Sequence, residues 1–294
     1  MNTKQRSILQ SMMHPYQGKA HAVAAFGLSH GPVDFISAGR QIAGTPSADW
    51  IFEIGSITKV FTAILLCLLE EEGQVDPRAP LREMSDLLAD VPDHITPERL
   101  SAHVSGLPRL HVPVWKALIH PLPADPYAAF SRADLLDWLH HWRGTAPGAK
   151  PRHRYSNLGM GLLGEAMALR MNTPFVDLLA NKVLMPLGMG DTGAQLDPDQ
   201  QPRFAAPHNT KGQPVPAWSF QAMAAAGCLR SSPRDLARFS QQVIRAVNAP
   251  ETTLDRAICR STQPIFGLSP GGRSAMRGLD VDAARSGTAG LCPS

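Results

Sequence analysis

Ser56 stands three positions before Lys59 in Glu53-Ile54-Gly55-Ser56-Ile57-Thr58-Lys59, at the head of an apolar run. Ile57, Val60, Phe61, Ile64, Leu65, Leu68 and Leu69 recur at three- and four-residue steps, and Gly73 supplies a stop. The spacing predicts a buried helix with Ser56 in its first turn. Residues three apart share a helix face, so the Lys59 ammonium can reach the Ser56 hydroxyl. A serine hydroxyl is a poor nucleophile near neutral pH unless a neighbouring base or cation helps remove its proton. The unpaired amides at a helix start favour negative charge there. Alone, Ser-x-x-Lys would better suit a helix start followed by a solvated lysine. It occurs once in this chain, however, and opens the most apolar helix. A lysine near so much apolar sequence is costly without a partner.

The partner is sought in Arg154-Tyr155-Ser156-Asn157, which precedes a second helical pattern over Leu158 to Met171. Gly159, Gly161, Gly164 and Ala166 in that pattern permit close packing. Tyr155 is a candidate base: a phenol titrates near pH 10, and a cation such as Lys59 favours its ionised form. Asn157 can orient Lys59 and bind a substrate carbonyl, because its amide both donates and accepts. The competing reading makes Tyr155 half-buried packing and Asn157 a helix cap.

Ser56-x-x-Lys59 with Tyr155-x-Asn157 resembles the serine hydrolases related to class C β-lactamases, penicillin-binding proteins and family VIII carboxylesterases. Three further segments carry the resemblance in the same order. They are Leu100-Ser101-Ala102-His103-Val104-Ser105-Gly106-Leu107-Pro108, Val183 to Thr192 with Met185-Pro186-Leu187-Gly188-Met189, and Ala226 to Ala237. The resemblance implies an α/β (α+β) fold with an antiparallel sheet flanked by helices. It implies an α/β subdomain from 1–75 and 231–294, with an all-helical subdomain over 76–230 inserted into it. The site would lie between them.

Elsewhere in the chain, Ala22 to Leu28 and Val33 to Ala38 are short apolar stretches around the turn cluster Ser29-His30-Gly31-Pro32, which predicts a hairpin. Helices are predicted to begin at Ser131-Arg132-Ala133-Asp134, Thr173-Pro174 and Ser232-Pro233-Arg234-Asp235. Gly106 to Ala129 and Leu196 to Ala217 are long Pro-rich connections of the kind that line or cover a site. With 294 residues and 44% hydrophobic content the chain can bury a substantial core. Its net charge of +3 is dispersed, which disfavours nucleic acid. Met1 to Tyr16 has no signal-peptide core and Val60 to Leu69 is too short to span a bilayer, so a cytoplasmic location and no membrane are expected. Cys67, Cys228, Cys259 and Cys292 imply no disulfide framework, and the eleven histidines form no metal-binding spacing.

Two patterns are set aside. Gly267-Leu268-Ser269-Pro270-Gly271 matches Gly-x-Ser-x-Gly, but Pro270 lacks the N–H that a nucleophile elbow uses for its oxyanion hole. Thr210-Lys211-Gly212 has the composition of the family's third motif in the wrong order. Arg285 to Gly290 resembles that third motif loosely, and the resemblance would make Ser286, Gly287 and Thr288 substrate-binding residues beside the oxyanion. The family's last strands and closing helix have no counterpart after it, so the C-terminal strands are expected to be truncated. The tail is read either as a natural short variant or as a stretch out of frame.

These readings together predict a serine hydrolase that forms an acyl-enzyme on Ser56, with Lys59 and Tyr155 moving protons, Asn157 positioning the substrate and no cofactor. The expected substrate is a small carboxylic ester. The alternatives are a β-lactamase or penicillin-binding peptidase, and a non-catalytic binding protein that has lost the third motif. Oligomeric state is left open.

Overall fold

A computed structural model describes residues 3–28, 32–111, 125, 127–144, 152–267 and 274–276. In chain order the elements are α1 (Thr3–Met13), β1 (Ala22–Gly27), β2 (Asp34–Gly39), β3 (Phe52–Glu53), α2 (Thr58–Glu71), α3 (Pro97–Ser101), α4 (Arg132–His141) and α5 (Asn157–Arg170). There follow α6 (Phe175–Leu179), α7 (Ala224–Gly227), β4 (Arg230–Ser231), α8 (Pro233–Asn248), α9 (Thr253–Ser261), β5 (Pro264–Gly267) and β6 (Ser274–Met276).

The apolar run after Ser56 becomes α2, and burial surrounds it. Phe61 and every residue from Ala63 to Leu69 are buried, as are Thr58, Lys59 and Thr62. Such all-round burial marks a central helix. α9 and α8 pack on one side of this region, while α5 and α7 pack on another. The helix starts later than its periodicity suggests. Gly55 to Ile57 form a 3-10 turn, and Ile57 is 44% exposed instead of buried. Gly55, at φ +48, turns the chain out of β3 and leaves Ser56 exposed just ahead of α2.

Local caps form as the residue types require. Ser131 and Asp134 make a reciprocal capping box on α4. Ser232 caps α8 with Pro233 in its first turn, and Ser156, not Asn157, caps α5 through the Gly159 N–H. Pro174 precedes α6 as its cap residue, one position earlier than predicted. α9 was not foreseen, although Thr252 and Asp255 form its capping box.

The described strands form three antiparallel pairs. β1 pairs with β2 from Ala22↔Gly39 to Gly27↔Asp34, β3 with β4 through Phe52↔Ser231 and Glu53↔Arg230, and β5 with β6. The β3–β4 pair matters most for the site, because it brings the chain before Ser56 against the chain after α7. The segment Leu196 to Ala217 is fastened along Ile51 by the Ile51 N–H to Arg203 O (2.8 Å) and the Ala205 N–H to Ile51 O (2.8 Å). Thr210-Lys211-Gly212 lies in an exposed turn, where Asn209 Oδ1 accepts the Lys211 and Gln213 N–H groups. Cys67 and Cys228 are buried, while Cys259 is disulfide-bonded, which the cysteine pattern did not foretell. Among the described residues no helix is long and apolar enough to cross a membrane.

Candidate active site

Three bonds fasten α2 to α7 and the residues just after it. The Leu229 N–H donates to Thr58 Oγ1 (3.1 Å), Thr62 Oγ1 donates to Ala225 O (2.9 Å), and Lys59 Nζ donates to Ala226 O (2.6 Å). Lys59 is thereby drawn inward to 1% exposure. Its second hydrogen bond goes to Ser56 Oγ at 3.1 Å. On the other side of that oxygen, Tyr155 Oη donates to Ser56 Oγ at 2.7 Å, and the Lys59 ammonium sits 4.8 Å from the centre of the Tyr155 ring. Hydroxyl, amine and phenol thus converge from two distant stretches of chain.

Burial penalises the charged amine, and the Arg109 guanidinium repels it further, so Lys59 is pushed down to about 7 from an ordinary 10.5. This revises the expected picture of a permanent cation beside Tyr155. Near neutral pH a large share of Lys59 is free amine, which can accept the Ser56 proton. Arg109 also lies over the Tyr155 ring, 5.7 Å from its centre.

Asn157 is buried at the edge of this group but does not orient Lys59. Its Nδ2 donates to Tyr127 Oη at 3.0 Å, and its Oδ1 is buried with no partner among the described residues. Burial raises the Tyr127 phenol, which keeps it protonated. Tyr127 stacks on Phe220 (4.9 Å) and meets Trp218 edge-on (5.3 Å). A Cβ built on Gly227 would stand 3.2 Å from the Phe220 ring and 3.8 Å from Gly55 C, so this aromatic group backs the turn that carries Ser56. Asp125 ties the two loops together: its Oδ2 accepts both the Ser219 N–H and the Ser219 hydroxyl at 2.7 Å. A cavity of about 820 Å³ beside this wall shares Phe220 and Ser219 with it and is further lined by Phe204, Ala224, Cys228 and Arg230.

Ser56, Lys59 and Tyr155 are therefore brought together, and Asn157 adjoins them with a different partner from the one expected. Ser286, Gly287 and Thr288 lie outside the described residues. Sequence reasoning missed Tyr127, isolated in a Pro-rich stretch, and the Ala226 carbonyl, a backbone group with no side-chain signal. Among the described residues no group of three His, Cys, Asp or Glu side chains could hold a metal ion.

Comparison with known proteins gives the family and the fold. The Beta-lactamase family model matches residues 14–287. The D-alanyl-D-alanine-carboxypeptidase/endopeptidase AmpH of Escherichia coli K12 is 30% identical over 209 residues, covering 68% of this chain and 50% of that protein. The solved beta-lactamase/D-alanine carboxypeptidase of Pseudomonas syringae superposes with a TM-score of 0.75 at 26% identity, covering 94% of this chain and 73% of that one. A class C beta lactamase of Rhodobacter sphaeroides shares the fold, with a TM-score of 0.70 at 22% identity over 90% of this chain and 71% of its own. The chain spans about half the length of the curated relatives it matches.

Proposed function

Since this chain belongs to the Beta-lactamase family, we propose that it is a serine hydrolase working through an acyl-enzyme on Ser56. The observation that carries this reading is the pair of contacts at Ser56 Oγ, 3.1 Å from Lys59 Nζ and 2.7 Å from Tyr155 Oη. In the proposed sequence, the free amine of Lys59 takes the Ser56 proton as Oγ attacks a carbonyl. Tyr155 gives its proton to the leaving group and is reprotonated by the Lys59 ammonium. Water then attacks the acyl-enzyme by the same relay in reverse, releasing the acid. The Ser56 N–H, at the turn before α2, is one expected donor to the oxyanion.

The substrate reading turns on Asn157. A buried carbonyl oxygen without a partner among the described residues calls for an N–H donor. An acylamino group beside the scissile carbonyl supplies one, and a simple ester does not. The names of the relatives, D-alanyl-D-alanine carboxypeptidase and beta-lactamase, point to substrates of that kind. We therefore place β-lactams and D-alanyl peptides ahead of small carboxylic esters, which remain the second reading.

Purified protein is to be incubated with a chromogenic cephalosporin, a D-alanyl-D-alanine peptide and a chromogenic short-chain ester. Hydrolysis of the first or second is expected, with Ser56 acylated in the intact mass and both signals absent in Ser56→Ala. Turnover of the ester alone would establish the second reading. Acylation without turnover would establish a binder, and unchanged hydrolysis in Ser56→Ala would remove the assignment.

A further inference from the structure

α3 ends in an unusual way. After its cap residue Ala102 the chain enters the left-handed region at His103, φ 58. Gly or Asn ordinarily takes that position, and this chain obeys the rule after α2 with Gly73 (φ 67) and after α5 with Asn172 (φ 46). A histidine there strains the backbone, because its Cβ crowds the neighbouring carbonyl oxygen. The side chain is also 1% exposed, and its Nε2 has no partner among the described residues.

What the strain achieves is visible around Tyr155. His103 O accepts the Arg154 N–H at 2.7 Å, and His103 Nδ1 accepts the Ser156 N–H at 3.3 Å. Its ring lies against the Tyr155 ring, with centres 4.6 Å apart and planes tilted by 41°. One residue therefore grips the chain immediately before and after Tyr155 and supports the phenol between. A Gly at this position would relieve the strain but forfeit both the ring and the Nδ1 acceptor. Burial, Lys59 and His153 push His103 down to about 3, so Nδ1 keeps its lone pair for Ser156 throughout the working pH range.

We propose that His103 is the positioning residue for Tyr155, clamping residues 154–156 so that the phenol hydroxyl is held on Ser56. The proposal rests on the reading of Ser56, Lys59 and Tyr155 as the reacting groups.

The test uses His103→Gly and His103→Asn, both of which accept a positive φ. The Oδ1 of the introduced asparagine can replace Nδ1 as acceptor for Ser156, whereas glycine offers no side-chain acceptor. In His103→Gly, kcat on whichever of the cephalosporin, D-alanyl-D-alanine peptide and ester probes the unmodified protein turns over, and the rate of Ser56 labelling by a fluorophosphonate, are expected to fall about 100-fold with KM changed less than about threefold. His103→Asn is expected to recover at least about tenfold of that loss. Combined with Tyr155→Phe, His103→Gly is expected to add almost nothing, because the group it positions is already gone. Amide exchange at Ser156 is expected to accelerate in His103→Gly while exchange within α5 is unchanged, a readout independent of catalysis. Additive losses in the double variant, equal impairment of the Gly and Asn variants, or an unaltered Ser156 amide would overturn the clamp. If the unmodified protein labels but not at Ser56, the proposed function fails, and the Ser156 exchange result then decides the structural half alone. Should His103→Gly fail to fold, the comparison of His103→Asn with His103→Gln decides it, since Gln keeps an amide but not the acceptor position. Equal rates in those two would overturn the proposal.

Discussion

Lys59 carries two costs and one benefit, all set by its burial. Removing an ammonium from water is expensive, and among the described residues its hydrogen bonds go to Ser56 Oγ and the Ala226 carbonyl, not to a carboxylate. The benefit is a base that is half deprotonated near pH 7. On the proposed mechanism kcat/KM should rise with pH through about 7 and level off above it, because acylation needs the free amine. A rate independent of pH between 6 and 8 would show that Lys59 is not the base. The same shift has a consequence for stability. Between about 7 and 10.5 the unfolded chain holds a proton on Lys59 that the folded chain lacks. Unfolding therefore takes up a proton, and stability rises with pH across that window, by ~5 kcal/mol in total at most. Lys59→Met has no such proton. Its denaturation midpoint should fall behind that of the unmodified protein as pH is raised from 7 to 10, and hydrolysis should be lost at every pH. Tyr155→Phe keeps the ring against His103 and removes only the hydroxyl, so kcat should drop by roughly 100- to 10,000-fold with the fold intact.

At the scale of elements, the site depends on how closely α5 approaches α7. A Cβ on Gly161 would stand 2.7 Å from Ala222 O and 3.2 Å from Met223 Cα, backbone atoms that cannot swing aside. Gly161→Ala gains about 1 kcal/mol of helix propensity but overpacks this contact at a cost of about 1–3 kcal/mol. The variant should be less stable by urea denaturation. It should also lose kcat, because pushing α7 away moves the Ala226 carbonyl that holds Lys59. A net gain in stability would show that the contact yields. These elements were unequally legible. Ser56, Lys59 and Tyr155 could be read because reactive side-chain types at fixed spacing have few other uses together. The caps at Ser131 and Ser232 could be read because a side-chain oxygen and an N–H three residues on are a local pair. α9 carried the same signal at Thr252 and Asp255, and it passed unread. β3 and β4, two residues each, are too short to show any period, and the Ala226 carbonyl has no residue type to announce it. Asn157 misled for another reason: its partner Tyr127 comes from a loop that local pattern cannot bring near.

Across the whole molecule, stability should be as uneven as burial is. α2 is enclosed by helices, and Phe61, Leu65 and Leu69 have no exposed surface. The β1–β2 hairpin is different, since only Ala38 among its residues is buried and the rest are half-exposed. α1 and α8 pack against β1, but a cavity of about 410 Å³ lies between its residues Ala22 to Phe26 and the side chains of Phe52, Ile54, Pro233 and Leu236. Apolar surface facing so large and open a cavity gains little from packing, and a two-stranded pair contributes little stability alone. The hairpin was legible from its short apolar stretches and turn cluster, whereas what packs against it was not, since that depends on what faces it from distant parts of the chain. The hairpin should therefore open without the rest of the fold. In native-state hydrogen exchange, the paired amides of residues 22–27 and 34–39 should exchange at least about tenfold faster than those of α2, equivalent to ~1.4 kcal/mol in opening free energy. Adding denaturant should leave the α2 amides reporting global unfolding while the hairpin amides stay insensitive at low concentration, because little surface is exposed in the smaller opening. Equal protection in the two regions would mean that the hairpin and α2 unfold as one unit, and that the contacts of α1 and α8 suffice to hold β1 in place.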